Sequence, residues 1–526
     1  MAEQITLHPD VSRFGGTIPA IASKSFAHRL ILLASLSDAP TKIICPTTSK
    51  DIEATIQCMA ALGADIRRDG EALFVTPIDR SHKKSPEDGT DASTEANANH
   101  PTPVKMDAGE SGSSLRFLLP ILGVLGCNAE IRTAGRLASR PLSPLKEEMA
   151  AHGTDISVYL AGKVNPNETP DRAPANNAFF QNSNTGSGLP KPDTDSMYDR
   201  IPVSGKMKGG SYTIAGNISS QFITGLLLAL PLAEEDSVLT VTGKLESRPY
   251  VDITLACLRE AGITIREESE VSPQTHSTES TAPTGTADNS EEQSSNSTVF
   301  HIPGRQKPHC PETLITEGDW SNAAFFLAAG ALSPQGVTVT GLNPDSCQGD
   351  KEMVHLLQQF GAEIASLPDD ACSANQISSQ PQSGLPHLRH QIRTKKAPLR
   401  GLSIDAANIP DLVPILAAVA AAAEGTTVFR NIERLRIKES DRVATVIDCI
   451  TSLGGEAYEE NDTLIIRGTG TIRGGTVDSH NDHRIAMTAA VLSLISEGPV
   501  TITDAGAVKK SYPGFYEDFL KLENRR

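Results

Sequence analysis

Leu62-Gly63-Ala64-Asp65-Ile66 is a phrase that the chain repeats. It returns as His152-Gly153-Thr154-Asp155-Ile156, Ala261-Gly262-Ile263-Thr264-Ile265 and Phe360-Gly361-Ala362-Glu363-Ile364, with Leu453-Gly454-Gly455-Glu456-Ala457 as a weaker fifth copy. Each copy follows a helix-like segment. A helix that ends in a left-handed C′ glycine and passes at once into a strand leaves this trace. The phrase therefore marks one fixed point in a recurring unit, on which the rest of the chain can be aligned.

The five glycines lie 90, 109, 99 and 93 residues apart, an irregular spacing. Four stretches between them read as disordered-looking hairpin insertions, at about 81–105, 163–198, 267–298 and 367–397. The third holds 14 Ser or Thr and seven acidic residues with no Lys or Arg, a composition too poor in apolar surface to order itself. Each insertion follows the post-glycine strand, where a hairpin loop accepts extra length cheaply. Without them the spacings become 65, 73, 67 and 62 residues, so a unit of roughly 65 residues recurs.

Two further features keep step with that unit. Apolar helices are predicted near 25–37, 113–125, 219–234, 321–333, 410–424 and 482–496. Each leads into a short strand, such as Val238-Leu239-Thr240-Val241 or Val500-Thr501-Ile502. Helices apolar nearly all round belong in a core rather than on a surface. Five units are complete and the sixth stops short at the C-terminus; the N-terminal strands Gln4–Leu7 and Thr17–Ala20 can complete it. The expectation is an α/β chain of two three-unit lobes. Residues 23–304 form the first, and residues 1–22 with 305–526 form the second. The plain alternative is a coincidental alternation of helices and strands.

A chain of 526 residues with 38% hydrophobic and 21% charged residues has material for more than one core. Its net charge of −17 argues against a nucleic-acid or membrane-surface partner, because both would repel it at long range. An anionic ligand would need a local basic cluster. The eight cysteines are scattered, without Cys-x-x-Cys or metal-ligand spacing, and fit free thiols in a reducing cytoplasm. No metal site is expected. The N-terminus lacks a basic, apolar leader, and no apolar run has the length of a membrane span. The protein reads as cytoplasmic.

The starts of the buried helices carry the chemistry: Ser23-Lys24-Ser25, Ser111-Gly112-Ser113-Ser114, Ser219-Ser220-Gln221, Gly318-Asp319-Trp320-Ser321, Ile409-Pro410-Asp411 and Asn481-Asp482-His483-Arg484. Ser, Asn and Asp are ordinary N-caps. Capping explains neither Lys24 nor Arg484, cations set against the positive end of a helix dipole. An anion bound between cation and amides would explain both. Arg29 and Arg116 follow inside apolar sequence, where an unpaired charge is costly. Post-strand loops add Arg140, Ser247-Arg248-Pro249-Tyr250, Lys438-Glu439-Ser440-Asp441-Arg442 and Lys510. Any one of these alone would read as a solvated surface charge. Their repetition at one place in a repeated unit points to a cleft that binds small multiply charged anions, phosphates and carboxylates. Two acids stand among the cations, Asp319 and Glu439. Capping and ion pairing would account for them, and so would general acid–base work in an anion-binding cleft. No phosphate-binding glycine loop of a nucleotide site is present.

Ser23-Lys24-Ser25 with Arg29, Ser219-Ser220-Gln221-Phe222, Glu317-Gly318-Asp319, Arg436-Ile437-Lys438-Glu439-Ser440-Asp441-Arg442 and Asn481-Asp482-His483-Arg484 together resemble the EPSP synthase family. The likeness runs in order from about residue 4 to 520. It implies the two-domain inside-out α/β barrel of six βαβαββ-like repeats, three per domain. It implies transfer of the enolpyruvyl group of phosphoenolpyruvate to the 5-hydroxyl of shikimate 3-phosphate by addition and elimination, without metal or organic cofactor, in a monomer. By matching motif, Lys24, Ser25, Arg29, Ser219, Ser220, Gln221, Ser247, Asp319 and Lys438 resemble shikimate 3-phosphate contacts. Lys24, Gly112, Arg140, Gln221, Arg442, Arg484 and Lys510 resemble the phosphoenolpyruvate site. Asp319 is similar to the family's acceptor of the hydroxyl proton and Glu439 to the donor to the methylene carbon, with Lys24 in the same catalytic set. The chain departs from many relatives at Glu110-Ser111, at Phe117 and at Arg434. A sister enzyme acting on UDP-N-acetylglucosamine shares fold and donor, but carries a cysteine where this chain has Gly135. An inert anion-binding scaffold is the rival from another class, and both retained acids argue against it.

Overall fold

The computed structural model describes residues 3–79, 102–161, 198–270, 297–369 and 389–523. Its helices are, in chain order, α1 (Lys24–Ser35), α2 (Lys50–Ala61), α3 (Gly112–Leu125), α4 (Leu145–Ala151), α5 (Ser220–Ala229), α6 (Arg248–Glu260), α7 (Trp320–Leu332), α8 (Glu352–Phe360), α9 (Val413–Ala422), α10 (Arg442–Ser452), α11 (His483–Leu492) and α12 (Phe515–Lys521). The odd-numbered helices are the six apolar ones, and they are buried nearly end to end because none has a face fit for water. The even-numbered helices bury one face only. The glycines of the recurring phrase, Gly63, Gly153, Gly262, Gly361 and Gly454, all take left-handed φ, from 73° to 107°.

Each unit lays one open sheet outside its buried helix. In the second unit Val104–Asp107 runs parallel to Ala129–Thr133 across α3, and the hairpin strands Thr154–Ile156 and Asp199–Gly205 add antiparallel. The third and fifth units repeat this order. Helices inside and sheets outside make the inside-out α/β fold.

The first and fourth units exchange strands. Gly16–Pro19 precedes α1 in sequence but pairs with Val337–Leu342 of the fourth unit. Thr313–Ile315 precedes α7 but pairs with Thr41–Ile44 of the first. The sixth unit, short of a hairpin, takes Ile5–Leu7 as its third strand. The chain therefore crosses between the lobes twice, and the two crossings lie side by side. Ser23 N donates to Glu317 O and Asp319 N to Ile21 O, both at 2.8 Å.

The boundary expected at 304/305 is displaced. Cys310 and Leu314 sit in the first core with Phe26, Leu119 and Leu227, whereas Leu7, Phe14 and Ile18 sit in the second with Phe325, Val419 and Ile485. The strand exchange is the reason. Most of each expected insertion lies outside the described residues, but the edges are ordered. Val104–Asp107, Arg266–Glu270, Glu363–Pro368 and His390–Lys395 are paired strands. They are short and rich in polar residues, so composition alone reads them as loop.

One contact bears directly on the site. Where α5 crosses α3, a Cβ at Gly225 would stand 2.5 Å from Arg116 O. The missing side chain lets the helices approach closely and brings Gln221 onto Arg116. No described helix is long and apolar enough to cross a membrane.

Candidate active site

The buried helices of both lobes open onto one cleft. Lys24 and Ser25 come from α1, Ser113 and Arg116 from α3, Ser220 and Gln221 from α5, Ser321 and Asn322 from α7, Asp411 from the turn before α9, and His483 and Arg484 from α11. These residues line one cleft between the lobes.

On the first-lobe wall, Arg29 is buried and has no carboxylate within ion-pair distance among the described residues. Its Nε donates to Thr254 Oγ1 (2.8 Å), Nη1 to Ser25 O (2.7 Å) and Nη2 to Tyr250 O (2.9 Å), and its plane lies over Phe117. Burial pulls its pKa down to about 10. Arg116 is alike: Nη1 donates to Gln221 Oε1 (2.9 Å) and Nη2 to Pro141 O (3.2 Å), while the buried Nε meets no acceptor. Burial, and then Arg140, bring it down to about 9. Gln221 is held from its other end, donating to Ser113 Oγ (3.1 Å). These are desolvated cations without counter-ions among the described residues, a charge arrangement that an incoming anion would relieve. Lys24 differs, since Asp51 lies 2.8 Å from its Nζ. Burial lowers the Lys24 pKa, but Asp51 outweighs it and the net shift is upward.

The second-lobe wall is built of ion pairs. Arg442 is fully buried, with Nε 2.8 Å from Asp482, Nη1 2.7 Å from Asp411 and Nη2 2.6 Å from Glu439. Burial opposes its charge, but the three carboxylates, Asp482 first, raise its pKa above the ordinary arginine range. Asp411 also accepts from Tyr250 OH (2.7 Å) and lies 3.3 Å from Lys438 and 3.6 Å from Arg484. Burial pushes the Asp411 carboxyl up, yet Arg484, Lys438 and Arg442 hold it well below the usual range. Glu439 behaves likewise: Arg442 and Arg140, the latter 3.8 Å away across the cleft, overcome its burial. His483 is kept neutral by burial and by Lys24.

Most residues picked from sequence meet here. Lys24, Ser25, Arg29, Arg140, Ser219, Ser220, Gln221, Asp319, Lys438, Glu439, Arg442 and Arg484 all line the open space. Ser247, Gly112 and Lys510 do not. Ser247 is buried, and Arg434 Nη1 donates to its Oγ at 2.6 Å. A Cβ at Gly112 would stand 2.9 Å from Nη1 of both Arg116 and Arg140, so the guanidinium groups cover it. Lys510 is taken by Glu110 at 2.7 Å.

Asp319 and Asp411 both line the cleft, in different surroundings. Asp319 caps α7, its Oδ1 accepting from Asn322 N (2.8 Å), and its Oδ2 accepts from Lys24 N (3.0 Å). Both oxygens are committed to backbone amides at the lobe crossing. Asp411 stands at the start of α9 but caps no amide; its carboxylate bonds to Tyr250 and the cations, and it is close enough to the buried Asp350 to push that acid's pKa up to about 6, after burial itself. In sequence, Pro410-Asp411-Leu412 looks like any helix start. Only the lack of a capping bond separates it from Asp319, and that is visible only in three dimensions. Asp51, Glu110 and Tyr250 also meet site residues here, on Lys24, Lys510 and Asp411, and nothing local in the sequence signals it.

The profile of EPSP synthase (3-phosphoshikimate 1-carboxyvinyltransferase) matches residues 10–169, 193–285 and 287–519. Two similar proteins are the 3-phosphoshikimate 1-carboxyvinyltransferases of Clostridium novyi, 34% identical over 99% of this chain and 97% of that one, and of Clostridium kluyveri, 32% identical over 98% and 97%. Among solved structures, EPSP synthase from Acinetobacter baumannii superposes with a TM-score of 0.66 at 22% identity, over 99% of this chain and 98% of that one. An enolpyruvyl transferase from Streptomyces tendae gives 0.62 at 17%, over 99% and 98%. At those identities the structural likeness bears on the fold.

Proposed function

The chain belongs to the EPSP synthase family, and from that premise we propose that its cleft transfers the enolpyruvyl group of phosphoenolpyruvate to the 5-hydroxyl of shikimate 3-phosphate, releasing inorganic phosphate. The observation that carries this reading is the pairing of two walls: buried, counter-ion-free arginines on one and ionised acids among cations on the other. Arg29, Arg116, Ser219 and Ser220 seat the sugar phosphate, with Lys438 and the Ser247 turn beside it. Lys24, Arg140, Arg442, Arg484 and, once released, Lys510 seat phosphoenolpyruvate.

In the addition step, the hydroxyl oxygen bonds to C2 of phosphoenolpyruvate while its proton passes to a carboxylate and C3 gains a proton from Glu439. Elimination then returns the C3 proton and expels phosphate from C2. Arg442 and Arg140 hold the Glu439 carboxyl well below its ordinary range, so it acts as the acid only after taking up a proton with the substrates. Their negative charges offset Arg442 and Arg140 and raise its proton affinity. Asp411 suits the hydroxyl better than Asp319, because its oxygens are not fixed to helix amides. The same substrate charges weaken the hold of Arg484, Lys438 and Arg442 and make it more basic.

The test is phosphate release from phosphoenolpyruvate with either shikimate 3-phosphate or UDP-N-acetylglucosamine offered. Release with the first alone is the expected outcome. Release only with the nucleotide sugar would move the chain to the sister activity, and silence with both would reduce it to a binding protein.

A further inference from the structure

Glu110 lies in the turn before α3, yet Ser111 and not Glu110 caps that helix. Its carboxylate makes its hydrogen bonds across the cleft. Oε2 accepts from Lys510 Nζ at 2.7 Å and from Asn481 Nδ2 at 2.9 Å, and Oε1 accepts from Asn481 at 3.2 Å. The side chain passes over Gly135, where φ is +60° and a Cβ would stand 2.5 Å from Oε2. The first lobe thus keeps space for this carboxylate. Lys510 is buried, and its other acceptor is the carbonyl of Asn481. Its neighbour Ser511 lines the cleft.

We propose that Glu110 is an affinity-setting residue, an anion of the chain's own that holds Lys510 from across the cleft, and that the phosphoenolpyruvate anion must take Lys510 from it. This rests on the functional reading above for the identity of the anion, though not for the competition itself. Two carboxylate-bearing groups cannot both hold one ammonium at full strength, so the contact raises the KM for phosphoenolpyruvate. Glu110 is partly exposed, with side-chain exposure of 31%, which keeps the effect moderate.

Glu110→Gln keeps the shape and the Asn481 contact but removes the charge. We expect its KM for phosphoenolpyruvate to fall about fivefold, with the KM for shikimate 3-phosphate little changed. In a Lys510→Met background the same substitution should give no gain. An unchanged or raised KM for phosphoenolpyruvate, or a gain that persists without Lys510, would overturn the proposal while leaving the activity intact. Calorimetry with inorganic phosphate as probe reads the competition without turnover. Tighter binding by Glu110→Gln supports it even if the wild type proves inactive, and equal binding sinks it.

Discussion

The two walls of the cleft handle the same charge in opposite ways. Arg29 and Arg116 in the first lobe are solvated by hydroxyls, carbonyls and an amide, with no carboxylate among the described residues, and their proton affinity is depressed. Arg442 in the second lobe is wrapped by Asp482, Asp411 and Glu439, and its proton affinity is raised. The first wall holds cations whose hydrogen-bond partners are all neutral. The second is already balanced, and its acids are ionised and placed by the cations around them. The unpaired cations therefore stand in one lobe and the ionised acids in the other.

That division breaks most visibly if the acids are removed. Glu439→Gln should lower kcat by about 10²–10⁴, and Asp411→Asn should do the same, because each loses a proton-transfer group. Phosphate release under saturating substrates reads both. Near-normal turnover in either variant would take that residue out of the chemistry. Arg116→Met should instead act mainly through substrate affinity, with kcat lowered less than KM is raised.

Stability separates the walls in the opposite sense. Arg442→Met leaves three carboxylates without their shared cation, a loss of about 3–5 kcal/mol. Arg116→Met replaces an uncompensated buried charge with apolar volume, and should be neutral or stabilising by about 1 kcal/mol. Urea midpoints of the two variants decide it; a destabilised Arg116→Met would mean that its hydrogen bonds matter more than its burial.

Acid sharpens the same contrast. Asp411 and Glu439 have folded pKa values below their unfolded ones. The stability they contribute is present above the unfolded values of about 4 and is lost as pH falls through the lowered folded values. In Arg442→Met the part that Arg442 supplies, the leading one for Glu439 and a smaller one for Asp411, is gone at neutral pH. The gap between wild type and Arg442→Met should therefore narrow below about pH 4, while the gap for Arg116→Met should not. Denaturation midpoints from pH 7 to 3 test this.

How far these features were legible depends on whether they are local. The glycine phrase and the apolar helices follow from neighbouring residues, so six units and their buried helices could be read through four long interruptions. The strand exchange could not. Gly16–Pro19 and Thr313–Ile315 each precede a buried helix, and nothing in their side chains says which lobe they will join. The cations at the helix starts were legible because a positive residue there opposes the dipole. Their counter-ions were not, because Asp51, Glu110 and Asp411 are remote in sequence from the cations they meet. Asp411 in particular resembles a cap.

Asp319 offers the smallest effect and the finest division. Its two oxygens tie α7 and the first amide of α1 together where the chain crosses between lobes. Asp319→Ala removes an N-cap and should cost about 1 kcal/mol. Asp319→Asn keeps one acceptor oxygen for Asn322 N and gives up the other toward Lys24 N, so its stability loss should be smaller. If Asp319 only braces the crossing, Asp319→Asn turns over within about tenfold of wild type while Asp411→Asn collapses. If Asp319 takes the hydroxyl proton, the order reverses, with folding stability still nearly intact. Measuring kcat and the urea midpoint on both asparagine variants separates a strut from a base, since a strut moves the midpoint first and a base moves only kcat.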